Sequence, residues 1–465
     1  MKYRIGIFLA VILAIAFFAR ALPLDYSYFP EPDSFFHARS VELIISGQKI
    51  PGIDPISQQG RPYMNSPLFH AYFASFELLS GIGTVLIVKL LSIVFALATV
   101  LLTFLISKRM FGNRIALFSA FALAIMTIYV LRTSAFARPD AFALMILGAG
   151  ILFFLMREDL LAAIASVGIA LSNPIATGIA FVAALLFFWA LALVKKADAR
   201  TKSVFAISLV FFLVYALWLL HFQMPWTSFY SGMAFESAEM QQTTVVWYLL
   251  SFSFAWIFAL FAFVKMKGNY FLKTWAVSAA FLSIWALRFA LFLTIPMAIL
   301  AGFGICALEK KTRRQWIAFY ALVILLVSVT AVPLLFESGP YVPEPQEKAM
   351  KWISVYTPQS ASLASDWDFG DPLGYLAKRK VVVDGHFEFN PSVQARNDSI
   401  KIIASSSDCK KIFAEVKKWG IDYYFLNQRD FDSLTYKNGL LEANCGFISK
   451  EYANDESAVL KFGAR

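Results

Sequence analysis

The sequence has little charge for its length. Charged residues make up 15% of its 465 residues and hydrophobic residues 59%, whereas an ordinary soluble domain carries about 25% charged residues. This composition excludes a soluble protein. The formal net charge is +10, but the lysines and arginines gather in short runs between apolar segments. Such runs are typical of topology signals in membrane proteins rather than of a nucleic-acid surface, so we expect no nucleic-acid partner.

Cysteine is also scarce. The three cysteines, Cys306, Cys409 and Cys445, have no CxxC spacing, so the sequence gives no zinc or thiol-redox signal. Cys409 and Cys445 can pair if their part of the chain lies outside the cell. The C-terminal region also has no P-loop, no GxGxxG and no internal repeat.

Long apolar runs separated by charge fill most of the first 336 residues. A helix that crosses a bilayer satisfies its own backbone and needs about 20 apolar residues, so each run is a predicted span. The first run lacks a small-residue cleavage site and is interpreted as a retained span rather than a signal peptide. We predict about 11 spans, or about 13 if short segments are counted, near residues 4–22, 84–107, 115–132, 140–156, 159–172, 174–194, 203–222, 244–264, 270–287, 289–307 and 315–335.

Basic residues orient these spans. Connections such as SKRMFGNR and EKKTRRQ are basic and are predicted to face the cytoplasm. The alternate connections and the C-terminal region then face outward, so we expect a multi-pass protein of the plasma membrane with an extracytoplasmic site. Residues 67–81 are apolar, but a span there would invert the charge pattern downstream, so we predict an interfacial or re-entrant helix.

The composition changes at about residue 337. ESGPYVPEPQ is typical of a linker, and the residues after it have the polar content of a soluble domain. Periodicity predicts helices in EKAMKWISVY and DCKKIFAEVKKWG and strands in SASLASD, KVVVDG, DYYFLN and SAVLKF. We therefore predict a membrane domain, residues 1–336 with a long first outer loop at 23–83, and a small extracytoplasmic α/β domain, residues 337–465.

Carboxylates collect in the connections that are predicted to face outward. Each has an ordinary explanation: PEPDS is good N-cap chemistry, charges at span ends form interfacial ion pairs, and glutamates occur in solvated loops. The functional alternative is that they face one cavity. These residues and their neighbours are Asp33 and His37 in the first loop, Arg138 and Asp140 before the fourth span, and Glu236 and Glu239 in SGMAFESAEMQQTT.

Arg288 interrupts an otherwise apolar stretch, WALRFALFLTIPMAILAG. An arginine at membrane depth is energetically expensive, so we expect a bound anion or a carboxylate partner. Hard oxygen ligands suit Mg²⁺ or Mn²⁺, and an arginine together with a divalent cation stabilises a departing phosphate. The residues by themselves thus predict a metal-assisted transfer from a lipid phosphate on the outer face.

KWISVYTPQSASLASDWDFGDPLGYLAKRKVVVDG resembles a long stretch of one enzyme family, the catalytic subunit of oligosaccharyltransferase, which is the GT-C membrane enzyme of protein N-glycosylation. The family has a W-hydrophobic-xxx-TP helix, a WWDYG signature and a strand ending in V-D. PDSFFHAR is similar to its first acidic motif, SAEMQ to the glutamate of its fifth outer loop, and RFALFLTIPMAILAGFG to the segment with its phosphate-binding arginine. The chain looks like a short, partly divergent member of the single-subunit archaeal or bacterial type.

The resemblance implies a multi-pass α-helical GT-C fold and an inverting transfer. A glycan would pass from a polyprenyl, dolichyl-type phosphate or pyrophosphate to the asparagine of an Asn-x-Ser/Thr sequon. Asp33, Asp140 and Glu239 would bind Mn²⁺ or Mg²⁺. Asp33 and Glu239 would also engage the acceptor amide, and Arg288 would contact the lipid-linked phosphate. The implied partners are the lipid-linked oligosaccharide, the acceptor polypeptide and membrane lipids.

The resemblance also implies that Trp367 and Asp368 hold the sequon hydroxyl, since an indole wall with a carboxylate acceptor suits a group that donates a hydrogen bond. Two positions of the signature differ: Asp366 replaces the first Trp and Phe369 replaces the Tyr. Loss of one aromatic wall is expected to weaken or alter acceptor selection.

Two other motifs differ from the family pattern. SAFARPD has Arg138 at the first acidic position of the second motif and keeps only Asp140. Either Asp140 alone supplies the ligand, or Arg138 replaces part of the cation's charge, or activity is altered or lost. Asp408 and Lys411 have an Asp-xx-Lys spacing like the family's later helix motif, but an exposed helix start explains them equally well.

Three functions therefore stay open at the level of sequence. The first is glycan transfer to asparagine. The second is transfer from a polyprenyl-linked sugar to a different acceptor, Ser/Thr or a lipid. The third is a non-catalytic relative that binds lipid-linked glycan.

Overall fold

The structure is a computed structural model that describes residues 2–47, 53–58, 60, 67–134, 138–172, 251–285, 289–308, 339–385, 392–427, 439–440 and 443–463. Internal contacts divide the chain into two compact units. The helical unit comprises Met1–Asp25, Ser66–Gln223 and Ala234–Ser338. The sheet unit comprises Tyr26–Asn65, Met224–Met233 and Gly339–Arg465. The first outer loop thus falls largely in the same unit as the C-terminal residues.

The described helices are numbered in chain order; α2 and α12 to α14 belong to the sheet unit. They are α1 Lys2–Ala21, α2 Asp33–Ile45, α3 Pro67–Ser80, α4 Thr84–Phe111, α5 Asn113–Ile125, α6 Thr127–Thr133, α7 Pro139–Met156, α8 Asp159–Ser172, α9 Ala255–Lys265, α10 Tyr270–Trp285, α11 Ala290–Leu308, α12 Glu344–Tyr356, α13 Val393–Ser405 and α14 Cys409–Trp419.

Several helices of the helical unit are long and apolar enough to cross a membrane. Among the described residues four pass on length and composition: Arg4–Asp25, Thr84–Phe111, Pro139–Met156 and Ala290–Leu308. The pair α5 and α6 adds a fifth span if its 60° bend lies within one crossing. All five coincide with predicted spans, and the chain is a multi-pass membrane protein.

The other predicted spans either form helices too short to pass the same test or lie outside the described residues. Helices α8, α9 and α10 have 14, 11 and 16 residues. The predicted spans at 174–194, 203–222 and 315–335 lie outside the described residues, so the count of about 11 remains a prediction. Residues 67–80 form α3, a 14-residue helix, where an interfacial or re-entrant helix is predicted.

Burial separates central from peripheral helices in the helical unit. In the spanning window of α11, 72% of residues are buried, against 17% in α1. The apolar side chains of Ile7, Phe8 and Phe18 on α1 are mostly exposed. Because α1 is apolar over most of its length and these side chains are exposed, its outer face is suited to lipid acyl chains.

The sheet unit contains a five-stranded mixed sheet. Its strands are β1 Ser362–Ala364, β2 Lys380–Val381, β3 Tyr423–Leu426, β4 Ile448–Ala453 and β5 Ala458–Phe462. The order is β2-β1-β3-β5-β4; β1 runs parallel to β2 and β3, and β5 antiparallel to β3 and β4. Buried side chains of α13 and α14 form one apolar core with this sheet. Four strands and two helices lie where periodicity predicts them, while β4, most of which is exposed, and α13 are additions.

Residues of the first outer loop extend this sheet. Ser57 pairs with Val381 of β2 in a parallel bridge, and the Val381 N–H donates to the Ile56 carbonyl at 2.8 Å. Arg39 of α2 makes a two-pronged ion pair with the fully buried Asp54, at 2.8 and 2.7 Å. The loop is therefore part of the folded sheet unit, and it covers the backbone groups of a short edge strand.

A disulfide joins Cys409, at the start of α14, to Cys445, shortly before β4. This is the pair that the sequence allows for a domain outside the cell.

Candidate functional site

The WDFG motif forms a single 3₁₀ turn, Trp367–Phe369, directly after β1. The Phe369 N–H donates to the Asp366 carbonyl at 3.0 Å and closes the turn. The Phe369 ring is buried between the rings of Tyr341 and Phe425. The buried Phe369 ring anchors the turn in the core. The other residues of the turn, Asp366, Trp367 and Asp368, are half-exposed at the surface of the unit.

The glycine of this motif permits a close backbone approach. A Cβ on Gly370 would lie 2.1 Å from the Val383 carbonyl oxygen and 2.5 Å from the Asp384 Cα. Real Cβ atoms do not come so near to backbone, so any larger residue would push the turn away from the segment that follows β2. The glycine thus brings the WDFG turn against the VVVDG segment.

Two carboxylates meet next to that contact. Asp371 is 4% exposed, and its Oδ2 accepts the Gly385 N–H at 3.1 Å. The position that a Cβ on Gly385 would take lies 2.7 Å from Asp371 Oδ2 and 3.3 Å from Asp33 Oδ1. Asp33 of the first outer loop therefore lies beside the segment that packs on the WDFG turn.

Asp33 is the first residue of α2, and the sequence before it explains why the helix starts there. The Glu31 side chain accepts the Asp33 N–H at 3.2 Å and also bonds to the Ser34 hydroxyl. Acidic groups at a helix N-terminus satisfy free N–H groups and complement the helix dipole. The helix thus begins at Asp33, as PEPDS predicts, but its N-cap residue Pro32 makes no side-chain cap, and the Glu31 carboxylate accepts the Asp33 N–H instead.

Aromatic packing holds α2 against the residues after the WDFG turn. The Phe35 ring contacts the rings of Phe29 and Tyr375 at centroid distances of 5.2 and 5.9 Å. The Tyr375 hydroxyl donates to Glu42 Oε1 at 2.7 Å. Burial, followed by the charge of Glu347, raises the pKa of the nearby Tyr28 above its usual value.

A buried arginine supports the segment that ends at Gly385. Arg396 of α13 is 2% exposed, and its Nη1 donates to the Val382 carbonyl at 3.0 Å. Its guanidinium lies over the Trp419 ring, 5.3 Å from the centroid. Burial lowers the pKa of Arg396, and the charge of the buried Asp384 opposes that shift.

Of the other predicted site residues, His37 lies on the same helix as Asp33, and the rest lie farther along the chain. His37 is buried on α2, one turn after Asp33. Arg138 precedes α7 in the helical unit, and Asp140 is buried in the first turn of that helix. Glu236, Glu239 and Arg288 lie outside the described residues.

Asp408 and Lys411 are at the exposed start of α14. The Asp408 carboxylate accepts the Lys410 N–H at 2.9 Å and is the N-cap of the helix. Capping accounts for an aspartate at this position, and an acceptor-binding role for the pair stays a prediction.

The oxygen ligands near Asp33 are of the type that binds a hard divalent cation, but among the residues described too few of them lie together to complete a metal site. Asp33 and Asp371 offer carboxylate oxygens, the ligands that Mg²⁺ and Mn²⁺ take. Within the described ranges no group of three His, Cys, Asp or Glu side chains could hold a metal ion. Of the other predicted ligands, Asp140 belongs to the helical unit and Glu239 is outside the described residues.

Sequence reasoning did not single out Asp371 or Gly385. They occur in the segments GDPLGY and VVVDG, but no local sequence pattern indicates a function for either residue. Their partner Asp33 is more than 300 residues away in the chain, so only the tertiary fold brings the three together.

No protein-family model matches the chain, and no curated protein matches it by sequence. Solved structures match it by fold. The archaeal oligosaccharyltransferase AglB from Archaeoglobus fulgidus, in complex with an inhibitory peptide and a dolichol-phosphate, has a TM-score of 0.71 at 14% identity, over 97% of this chain and 73% of that one. An Archaeoglobus fulgidus oligosaccharyltransferase in complex with Zn and sulfate has a TM-score of 0.67 at 13% identity, over 98% of this chain and 73% of that one.

A second kind of neighbour is ArnT from Cupriavidus metallidurans bound to undecaprenyl phosphate. Its TM-score is 0.60 at 14% identity, over 99% of this chain and 98% of that one. At these identities the likeness is one of fold. The chain therefore has a membrane GT-C fold that resembles oligosaccharyltransferase.

Proposed function

We propose that the chain is a membrane glycosyltransferase that transfers a glycan from a polyprenyl, dolichyl-type phosphate or pyrophosphate to the asparagine of an Asn-x-Ser/Thr sequon in a secreted protein. One observation carries the proposal: Asp33 lies beside Gly385 and Asp371, in the same unit that presents Trp367 and Asp368. Asp33 and the pair that we propose to bind the sequon hydroxyl thus belong to one folded unit, which supports the proposal.

The acceptor roles follow from the chemistry of these side chains. The Asp368 carboxylate would accept the hydrogen bond of the sequon hydroxyl while the Trp367 indole packs against its apolar part. The Asp33 carboxylate would accept an N–H of the acceptor amide and orient its nitrogen. That nitrogen would attack the anomeric carbon and give its proton to the Asp33 carboxylate, while the bond to the phosphate oxygen breaks and the phosphate leaves with the electron pair. The new bond then has inverted configuration.

The donor roles are proposed for Arg288 and for three carboxylates. Arg288 would contact the lipid-linked phosphate and stabilise its charge as it departs. Asp33, Asp140 and Glu239 would hold a Mn²⁺ or Mg²⁺ ion. The ion would supply Lewis-acid stabilisation of the leaving phosphate.

The site would face the extracytoplasmic space of the plasma membrane. Two observations support this side. The disulfide between Cys409 and Cys445 lies in the sheet unit, and disulfides form outside the cytosol. The basic connections of the sequence, such as EKKTRRQ, are predicted to lie in the opposite set of loops.

Purified protein with lipid-linked glycan, a sequon peptide and Mn²⁺ tests the proposal directly. We expect glycopeptide, a loss of product in Asp33→Ala and Glu239→Ala, and full product in the control Asp398→Ala, an exposed aspartate of the same unit. Product that is unaffected by the first two substitutions would refute the site. No product with any acceptor would favour a non-catalytic protein that binds lipid-linked glycan.

A second candidate is transfer from a polyprenyl-linked sugar to Ser/Thr or to a lipid. It is supported by Asp366 at the first aromatic position of the signature and by Arg138 at an acidic one. The neighbour bound to undecaprenyl phosphate, which the chain covers almost completely, is in keeping with it. Mass spectrometry of secreted proteins after gene deletion separates the two, because glycans that persist on every asparagine sequon would exclude the first.

A further inference from the structure

The last turn of α1 carries an arginine that is completely buried in the helical unit. Arg20 is 0% exposed, although an arginine at the end of a span commonly extends to water. Its Nε donates to Thr133 Oγ1 at 2.7 Å, and its Nη1 donates to the carbonyls of Ala16 at 2.9 Å and Ala124 at 3.0 Å. Its guanidinium carbon lies 4.7 Å from the centroid of the Tyr129 ring. These contacts offset the cost of a buried charge.

The partners of Arg20 belong to both halves of a broken span. Helix α5 ends at Ile125, α6 begins at Thr127, and the two are bent by 60°. A helix end leaves its last carbonyls without helical N–H partners, and Ala124 is in that last turn. Arg20 donates to this carbonyl and adds a positive charge at the helix C-terminus, which the helix dipole favours. On the other side of the break, the Thr127 N–H donates to Ser253 Oγ at 3.3 Å.

Helix α6 depends on such contacts for its direction. It has seven residues, too few to be a stable helix by itself. Its Tyr129 hydroxyl donates to the Ala96 carbonyl of α4 at 2.7 Å, and Arg20 binds its last residue, Thr133. Helices α1, α4 and α5 thus fix the axis of α6 through side chains.

The residue after α6 begins the connection that carries Arg138 and leads to Asp140 in the first turn of α7. We propose that Arg20 is a positioning residue: by tying α1, α5 and α6 together, it fixes where this connection leaves the helix bundle and hence where Asp140 lies. Arg20 acts through Thr133 and touches no reacting atom. The catalytic consequence rests on the proposed function, whereas the positional consequence does not.

Three substitutions test the proposal. Arg20→Gln removes the charge, and Thr133→Val removes the Nε partner while keeping the shape of the side chain. Thr103→Val is the matched control, because Thr103 is also fully buried in this unit and its hydroxyl donates to the Thr99 carbonyl of its own helix. If Arg20→Gln fails to fold, Thr133→Val still tests the contact.

The first readout is a distance. Spin labels are placed at Leu131, on α6, and at Met156, at the exposed end of α7, in a Cys306→Ser background that leaves the disulfide intact. We expect one narrow distance distribution in the parent and in Thr103→Val, and a broadened or shifted one in Arg20→Gln and Thr133→Val. A stabilising role alone would lower the melting temperature without moving this distribution.

The second readout is transfer kinetics with the sequon peptide. Misplacing Asp140 is expected to lower kcat by about 10- to 100-fold. The KM for the peptide should stay unchanged, because Trp367 and Asp368 belong to the other unit. An unchanged distance distribution in both variants overturns the proposal, and so does a changed distribution with unchanged kcat. Absence of transfer by the parent protein overturns the proposed function but leaves the distance test valid.

Discussion

Gly385 offers a sharp test of the candidate site, because a single methyl group there would disturb two carboxylates at once. In Gly385→Ala the new Cβ would lie 2.7 Å from Asp371 Oδ2 and 3.3 Å from Asp33 Oδ1. Asp371 is almost fully buried and also accepts the Gly385 N–H. The Asp371 carboxylate must therefore move, and Asp33 must shift by a few tenths of an ångström or more.

The expected magnitudes follow from these contacts. Losing a hydrogen bond to a buried carboxylate, with some overpacking, is expected to lower the free energy of unfolding by about 1–3 kcal/mol. A displaced Asp33 would misorient the acceptor amide. Because an error of about 1 Å in a reacting geometry costs up to about 100-fold in rate, a shift of a few tenths of an ångström should lower kcat by several-fold, up to about 10-fold.

The assay is transfer of a lipid-linked glycan to a fluorescent sequon peptide, measured beside thermal unfolding. Gly446→Ala is the matched control, since a Cβ there meets no atom within 4 Å and Gly446 is in the same unit. Asp371→Asn keeps an acceptor oxygen for the Gly385 N–H but removes the negative charge. It therefore distinguishes the effect of the charge on transfer from the effect of a displaced side chain. If Gly385→Ala and Gly446→Ala transfer glycan at the same rate, the contact with Asp33 has no part in catalysis and the reasoning fails.

Three further predictions concern the stability of the sheet unit. The Cys409–Cys445 bond closes a loop with a sequence separation of 36, so its reduction should destabilise the unit by about 4 kcal/mol. Thermal unfolding with and without reductant measures this loss, and a change near zero would contradict it. Arg379 donates to the Thr357 hydroxyl and to the carbonyls at the end of α12, so Arg379→Met should cost about 2–4 kcal/mol in a denaturant titration while Lys378→Met costs little. Burial raises the pKa of Tyr28 above 10.0. The folded state therefore favours the neutral phenol, and stability should be full below pH 10 and fall as the pH rises through the raised value. Tyr28→Phe should remove the part of the alkaline loss of stability that Tyr28 causes. If the variant and the parent lose stability identically above pH 10, Tyr28 makes no such contribution.

Local sequence predicted much of the secondary structure. Apolar runs predicted the spans that α1, α4, α7 and α11 occupy, because the hydrophobicity of a spanning helix is a property of consecutive residues. Short apolar runs between polar residues predicted β3 and β5, whose side chains are almost all buried. They did not predict β4, because that strand is mostly exposed and has no apolar pattern to read.

The bend at Met126 had no signal in the sequence. Residues 115–132 read as one apolar span, without the proline or glycine that usually marks a kink. In the structure the break is stabilised from other helices, by Arg20 at the end of α5 and by Ser253 at the start of α6. Side chains distant in sequence satisfy the backbone groups that the break exposes, so its position depends on packing.

The candidate site also depends partly on local sequence and partly on tertiary packing. The sequence by itself determined that the chain spans a membrane and carries a WWDYG-like motif and an acidic first loop, since each is a matter of residue type and short spacing. Only the tertiary structure placed Asp33 beside Asp371 and Gly385, against the turn that bears Trp367 and Asp368. The physical reason is that these contacts join segments more than 300 residues apart, and their geometry depends on how α2 packs and on glycines that let backbones approach.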